Sequence, residues 1–195
     1  MLSLTKPAPA TIQRFLERQA TLDLTYAAVG ATATNPPTGY VVDRTRVKLG
    51  TGEAVFAAGV AALRRWEQFQ LGWIEAWPSS APLRTGEVVA IVARGGGLWW
   101  LNACRIVYLV DETEPVRRFG FAYGTLPAHA GTGEERFLIE WDRATNEVFY
   151  EVFAFSRMKH VLTRVAYPIV RRTQRRFGRE SGAAMLRAVR EDLRP

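Results

Sequence analysis

The stretch from residue 73 to residue 155 most constrains what this chain can fold into. It is a succession of apolar, β-branched and aromatic runs cut by short clusters of turn-forming residues. The runs fall at 73–77, 87–93, 98–110, 118–125, 135–141 and 148–155. Between them lie Pro78, Arg94-Gly95-Gly96-Gly97, Asp111-Glu112-Thr113-Glu114-Pro115, a loop at 127–133 and Asp142-Arg143-Ala144-Thr145-Asn146. Parallel neighbours would need crossovers of about a dozen residues or more, so these spacings predict antiparallel hairpins. The last hairpin predicts its own register. Pairing Asp142 with Glu147 places Phe137, Ile139, Trp141, Val148, Tyr150, Val152 and Ala154 on one face, assigned to the interior. The other face holds Arg136, Glu140, Asp142, Glu147 and Glu151 with Leu138, Phe149 and Phe153 mixed in, and a slip of one residue would scramble the separation.

The flanks are read in the same way. Residues 40–49 alternate as a weakly amphipathic strand, and Gly50-Thr51-Gly52 then opens a helix over 53–70. Phe56, Val60, Leu63, Trp66 and Phe69 recur at helical spacing, and Gly72 supplies a stop. A shorter helix is expected at 11–20 with Thr11 as N-cap, followed by a loop around Asn35-Pro36-Pro37. Residues 158–193 read as a long terminal helix. Met158, Val161, Leu162, Val165 and Ile169 form its apolar stripe, resumed at Met185, Leu186 and Val189. Pro168 is expected to kink or divide this helix, and Gly178 and Gly182 to break it.

Composition limits the class. Hydrophobic residues make up 48% and charged residues 23% of 195, an ordinary globular balance. The length suits one domain over 1–195, with a helix and linker at 1–39 packed on a core at 40–195. No stretch approaches the ~20 apolar residues of a membrane span, and the first ten residues lack the apolar run of a secretory signal. With Cys104 as the only cysteine, no intramolecular disulfide can form, and a cytoplasmic location is expected. Cys104 lies in an apolar strand pattern and reads as packing rather than nucleophile.

The order strand, helix, six strands, long helix resembles the START-like, birch-pollen-allergen-like helix-grip fold. The resemblance implies an α+β domain whose curved antiparallel sheet of about seven strands wraps the C-terminal helix around an apolar cavity. Short motifs add a closer likeness. Leu49-Gly50-Thr51-Gly52, Cys104-Arg105-Ile106-Val107-Tyr108, Phe119-Gly120-Phe121-Ala122-Tyr123-Gly124-Thr125-Leu126-Pro127, Gly133-Glu134-Glu135-Arg136-Phe137 and Ala154-Phe155-Ser156-Arg157 are similar to those of a bacterial and plant family. It is the domain-of-unknown-function family nineteen-ninety, also called uncharacterised protein family five-forty-eight. The similarity runs from about residue 25 to residue 189 and implies no activity or catalytic residue. Met158 stands where the family pattern leads one to expect a proline.

No catalytic set emerges from the residues. His129 and His160 have no neighbouring ligand residues, so neither a metal nor another cofactor is indicated. There is no Gly-x-Ser-x-Gly elbow, Gly95-Gly96-Gly97 lacks the residues of a phosphate loop, and Gly50-Thr51-Gly52 reads as a plain helix entry. Glu140 and Glu151 fall on the charged face and are expected to be solvated. Arg105, on a face with Trp99, Leu101, Ala103, Val107 and Leu109, must be paired, because burying a lone guanidinium costs several kcal/mol. It reads either as a structural pair or as an anchor for an anionic group of a ligand. Trp99, Tyr123, Trp141 and Tyr150 are candidate pocket-lining aromatics with polar tips.

The net charge of +7 is concentrated at one end. From residue 157 onward eleven Lys and Arg face three carboxylates, a net +8, leaving −1 for the rest. Arg171, Arg172, Arg175, Arg176 and Arg179 repel one another at helical spacing, by ~0.2–0.5 kcal/mol per pair, unless something offsets them. Three function classes follow. The first is a binding module for a small, largely apolar or amphipathic molecule in an internal cavity. The second is binding of nucleic acid or an anionic surface through the basic helix. The third, a cyclase- or hydrolase-like enzyme, rests on fold analogy alone.

Overall fold

Alternating side chains and short turns produce one antiparallel sheet. The computed structural model describes residues 1–158 and 167–194. In chain order the elements are β1 (Leu2–Ser3), α1 (Pro9–Gln19), β2 (Val41–Thr51), α2 (Glu53–Arg64), β3 (Ile74–Trp77), β4 (Val88–Gly95), β5 (Leu98–Glu112), β6 (Arg117–Thr125), β7 (Gly131–Asp142), β8 (Glu147–Met158) and α3 (Tyr167–Asp192). The strands lie in the order β2-β8-β7-β6-β5-β4-β3, with β1 added beside β5. Every described pairing is antiparallel. Asp142 stands opposite Glu147, the register that the alternation predicts. Phe137, Ile139, Val148 and Tyr150 are accordingly fully buried.

That inner face is covered by α2 and α3. Phe69, just after α2, lies 5.4 Å from the ring of Phe137 on β7 and 5.1 Å from Phe177 on α3. The ring of Phe121 completes the stack, 5.2 Å from Phe137. Sheet, helix and terminal helix thus share one aromatic core, and the chain has the helix-grip architecture.

Several elements depart from expectation. The helix expected over 53–70 ends at Arg64, because Trp66 takes a left-handed backbone at φ 58° and a short 3₁₀ turn, Glu67–Phe69, follows. That conformation costs roughly 1–2 kcal/mol. It seats the Trp66 indole 4.9 Å from Phe121, with Nε1 donating to the Ala81 carbonyl at 2.9 Å. Helix α1 starts at Pro9, not Thr11, and no side chain caps it. Proline fills the first helical position, where no N–H is needed. Ile12, Phe15 and Leu16 press α1 onto the outer surface of β4 and β5.

The terminal helix needs the largest correction. Met158 closes β8 instead of opening a helix, and Val161, Leu162 and Val165 lie outside the described residues. Ile169 is 70% exposed and takes no part in the core. The kink or division expected at Pro168 turns on residues 159–166, which lie outside the described residues; from Tyr167 onward the helix runs unbroken through Gly178 and Gly182. These glycines are contact points with β2. A Cβ on Gly182 would lie 2.6 Å from Val47 Cγ2, and one on Gly178 would collide with Thr45 Oγ1. Between them Ser181 hydrogen-bonds the Tyr150 hydroxyl at 2.6 Å. Overpacking against Val47 should outweigh alanine's better helix propensity, so Gly182→Ala is expected to lose ~1 kcal/mol. In a Val47→Ala background the same change should stabilise; urea midpoints of the four proteins read this reversal of sign.

On the outer surface a buried carboxylate ties down the N-terminal segment. Glu134 accepts from Tyr26 Oη at 2.7 Å, Gly30 N at 2.7 Å, Thr32 N at 2.9 Å and Thr32 Oγ1 at 2.5 Å. The Tyr108 hydroxyl then donates to Thr32 Oγ1 at 2.7 Å. Tyr26 reaches Glu134 across Gly124, where a Cβ would lie 2.8 Å from Tyr26 Cε1. Glycine is required there by crowding. Glu151 and Glu140 are not the solvated carboxylates expected. The Glu151 side chain is 2% exposed between Arg44 at 2.6 Å and Arg136 at 2.9 Å, and Glu140 bridges Arg46 and Arg118, each at 2.7 Å.

Candidate functional site

One row of residues crosses the inner face near the start of α3. Tyr123 of β6 is paired with Glu135 of β7, Glu135 with Ala154 of β8, and Ala154 with Asp43 of β2. Because side chains alternate along a strand, Glu135 points to the same side as Phe137, into the core. Ala154 stands between the two carboxylates, and both Ala154 and Glu135 are only half-buried. The row thus sets an acidic group on either side of one small residue.

The two acids are treated differently. Asp43 is gripped by both Nη atoms of Arg171, with Nη2 at 2.6 Å from Oδ1, and Gln174 links Arg171 onward to Ser156. Among the described residues Glu135 has only the Tyr123 hydroxyl, which donates to Oε2 at 2.6 Å. Burial pushes the Glu135 carboxyl up to about 7, the negative charge of Asp43 adds to the rise, and the Tyr123 hydrogen bond opposes it. Burial also raises the hydroxyls of Tyr123 and Tyr150 well above the usual phenol range. Thus Glu151 meets arginines and Glu134 meets four donors, whereas Glu135 has one neutral partner among the described residues.

The sequence candidates separate by face. Tyr123 and Tyr150 are on the inner face. Trp141 is on it too but farther along, with Nε1 donating to Asn146 Oδ1 at 3.1 Å and its ring 6.2 Å from Phe56. Trp99 packs on the outer cluster around α1. Arg105 is also on the outer side, where Nη2 donates to the carbonyls of Ala20 at 2.7 Å and Leu22 at 2.9 Å. It completes the C-terminal end of α1, whose carbonyls need donors. Arg105 lies opposite Gly124, and the room left there is filled by Tyr26. Among the five terminal arginines, Arg171 binds Asp43 and Arg176 binds Glu180 at 2.7 Å, leaving Arg172, Arg175 and Arg179 exposed. His160 lies outside the described residues; His129 accepts at Nδ1 from Gly131 N at 3.0 Å. Glu135 and Asp43 were not among the residues the sequence singled out, although the parity of Glu135 with Phe137 was a usable signal.

No helix among the described residues is long and apolar enough to cross a membrane. The family model described as a domain of unknown function, DUF1990, matches residues 25–184. A UPF0548 protein of Deinococcus radiodurans is 37% identical over 201 residues, covering 97% of this chain and 99% of its own length. A UPF0548 protein of Dictyostelium discoideum is 38% identical over 156 residues, 76% of this chain and 72% of its own. Among solved structures, a hypothetical protein of Helicobacter pylori superposes with a TM-score of 0.50 at 13% identity, over 84% of this chain and 97% of that one. That likeness is one of fold alone. The match over most of the chain, together with a relative 37% identical over nearly its full length, makes this protein a member of the DUF1990 family.

Proposed function

We propose that the protein binds a small, largely apolar molecule on the inner face of the sheet, under the start of α3, with Glu135 and Tyr123 holding its one hydrogen-bond-donating group. The observation that carries this reading is Glu135 itself, a carboxylate set among Tyr123, Phe137 and Ala154 whose only hydrogen-bond partner among the described residues is the Tyr123 hydroxyl. Groups in that situation normally find partners, because leaving them unmatched costs roughly 1–3 kcal/mol. Gln68 adds to it. It is fully buried one residue before Phe69, and neither amide atom has a hydrogen-bond partner among the described residues. Phe69, Phe137 and Phe177 supply the apolar wall. A cationic amine or a hydroxyl on an apolar body satisfies this arrangement; a second carboxylate does not.

Dansylcadaverine, an apolar fluorophore with an amine tail, is a suitable probe. Its affinity should rise as pH increases through about 7, because Glu135 loses its proton while the amine, with a pKa of about 10, keeps its own. Ala154→Leu, which crowds the surface beside Glu135, and Glu135→Gln, which removes the charge, are each expected to weaken binding about tenfold or more, about the worth of one buried charge-assisted contact. Unchanged fluorescence titrations in both variants would contradict the assignment.

A further inference from the structure

The solvent face of α3 carries a charge pattern that the interior site does not use. Arg172, Arg175, Arg179, Arg187, Arg190 and Arg194 are all exposed. None of the six meets a carboxylate within 4.0 Å among the described residues, although ion pairs occur over the rest of the surface. At about 100° per residue, the five within α3 fall within about 60° of one line along the helix and span roughly 27 Å, and Arg194 follows just past its end. The helix's own acids lie off that line. Glu180 is turned toward Arg176 and Trp73, and Asp192 is bound to Arg65 at 2.8 Å. Glu191 falls about 100° round from the line by the same count. Such a row of like charges destabilises a helix unless an external anion faces it.

The same face has an apolar residue at each end. Ile169 is 70% exposed and Leu193 is 44% exposed. By the same helical count both sit within about 60° of the arginine line, roughly 36 Å apart. The opposite face of α3 is committed to the core through Phe177, Met185, Ala188 and Val189, so the helix cannot roll to expose another side.

We infer that this face of α3 docks flat on an anionic lipid bilayer, its arginines among the headgroups and Ile169 and Leu193 at the level of the first acyl carbons. A bilayer is favoured over a nucleic acid for two reasons. Exposed Ile and Leu gain free energy against acyl chains and none against phosphates. The arginine row is also straight and, among the described residues, carries no exposed aromatic on which a base could stack. Neither the arginine row nor its apolar ends depend on the interior site.

Sedimentation with vesicles tests it. The intact chain should pellet with phosphatidylcholine vesicles containing phosphatidylserine, fail to pellet with phosphatidylcholine alone, and be released by salt. Replacing Arg172, Arg175 and Arg179 together by glutamine should lower partitioning by roughly 100-fold, and so should the matching change at Arg187, Arg190 and Arg194. Because these side chains are exposed and repel one another, both variants should match or exceed the parent's thermal midpoint, which separates a loss of binding from unfolding. Ile169→Asn should weaken binding several-fold while leaving its salt dependence intact. Equal pelleting with neutral vesicles, no effect of the glutamine variants, or retention of RNA or duplex DNA without any vesicle binding would overturn the inference.

Discussion

Glu134→Ala should destabilise the protein by ~3–5 kcal/mol, more than any other single substitution proposed for this chain, because it removes a buried charge-assisted centre. Four donors converge on this carboxylate from the 26–32 segment, and three of them are buried or part-buried backbone and phenol groups. Without Glu134 the Tyr26 hydroxyl, Gly30 N and Thr32 N must either stay unmatched or draw water into the outer surface of β6 and β7. Tyr26→Phe removes one donor only and should cost ~1 kcal/mol. Chemical denaturation of the two variants measures the difference. Proteolysis offers a local readout, since the residues around Asn35-Pro36-Pro37 should become cleavable in Glu134→Ala well below its global midpoint. Equal stability of the two variants would show that the clasp is not held by the carboxylate.

The second large effect has the opposite sign. The folded chain keeps the Glu135 proton up to about pH 7, whereas the unfolded chain releases it near 4.5. Between those values the folded state binds more protons, so stability falls as pH rises through this window. A full shift of this size corresponds to ~3 kcal/mol, and the partial exposure of Glu135 reduces it to ~1–2 kcal/mol. Glu135→Gln should therefore be more stable than the parent by ~1–2 kcal/mol above about pH 8, with the advantage vanishing below about pH 5. A stabilising change at the centre of a proposed site is what a trade between binding and stability predicts. A variant less stable than the parent at high pH would place Glu135 in a purely structural role.

How far the sequence foretold these features depends on what each one needed. The Asp142–Glu147 register was legible because the hairpin loop is short and the alternation strict, so local residues alone decide it. The break at Trp66 was not, since Phe69 continues the helical spacing and only the cavity beside Phe121 and Ala81 demands the turn. Gly178 and Gly182 read as helix breakers, and their role emerges only when β2 is set against them. Strand β5 is apolar on both faces because α1 covers one and the core the other. Parity there could not say which side Arg105 would take. Arg171 and Asp43 are separated by 128 residues, so no local pattern announces their pairing. Glu135 is the instructive miss. Next to Glu134 it looks like the polar beginning of a strand, yet the two neighbours point to opposite faces, Glu134 fully buried and Glu135 half-buried.

The proposed site depends on Glu135 being an uncompensated carboxyl within the core that a donor-bearing ligand can reach. Isotope-edited NMR of its side-chain carboxyl, titrated with pH in the free protein and with dansylcadaverine, measures this directly. A midpoint near 7 is expected in the free protein, moving down by about a unit or more when the amine is bound, since a cation favours the ionised form. A midpoint in the ordinary carboxylate range that ignores the probe would contradict it.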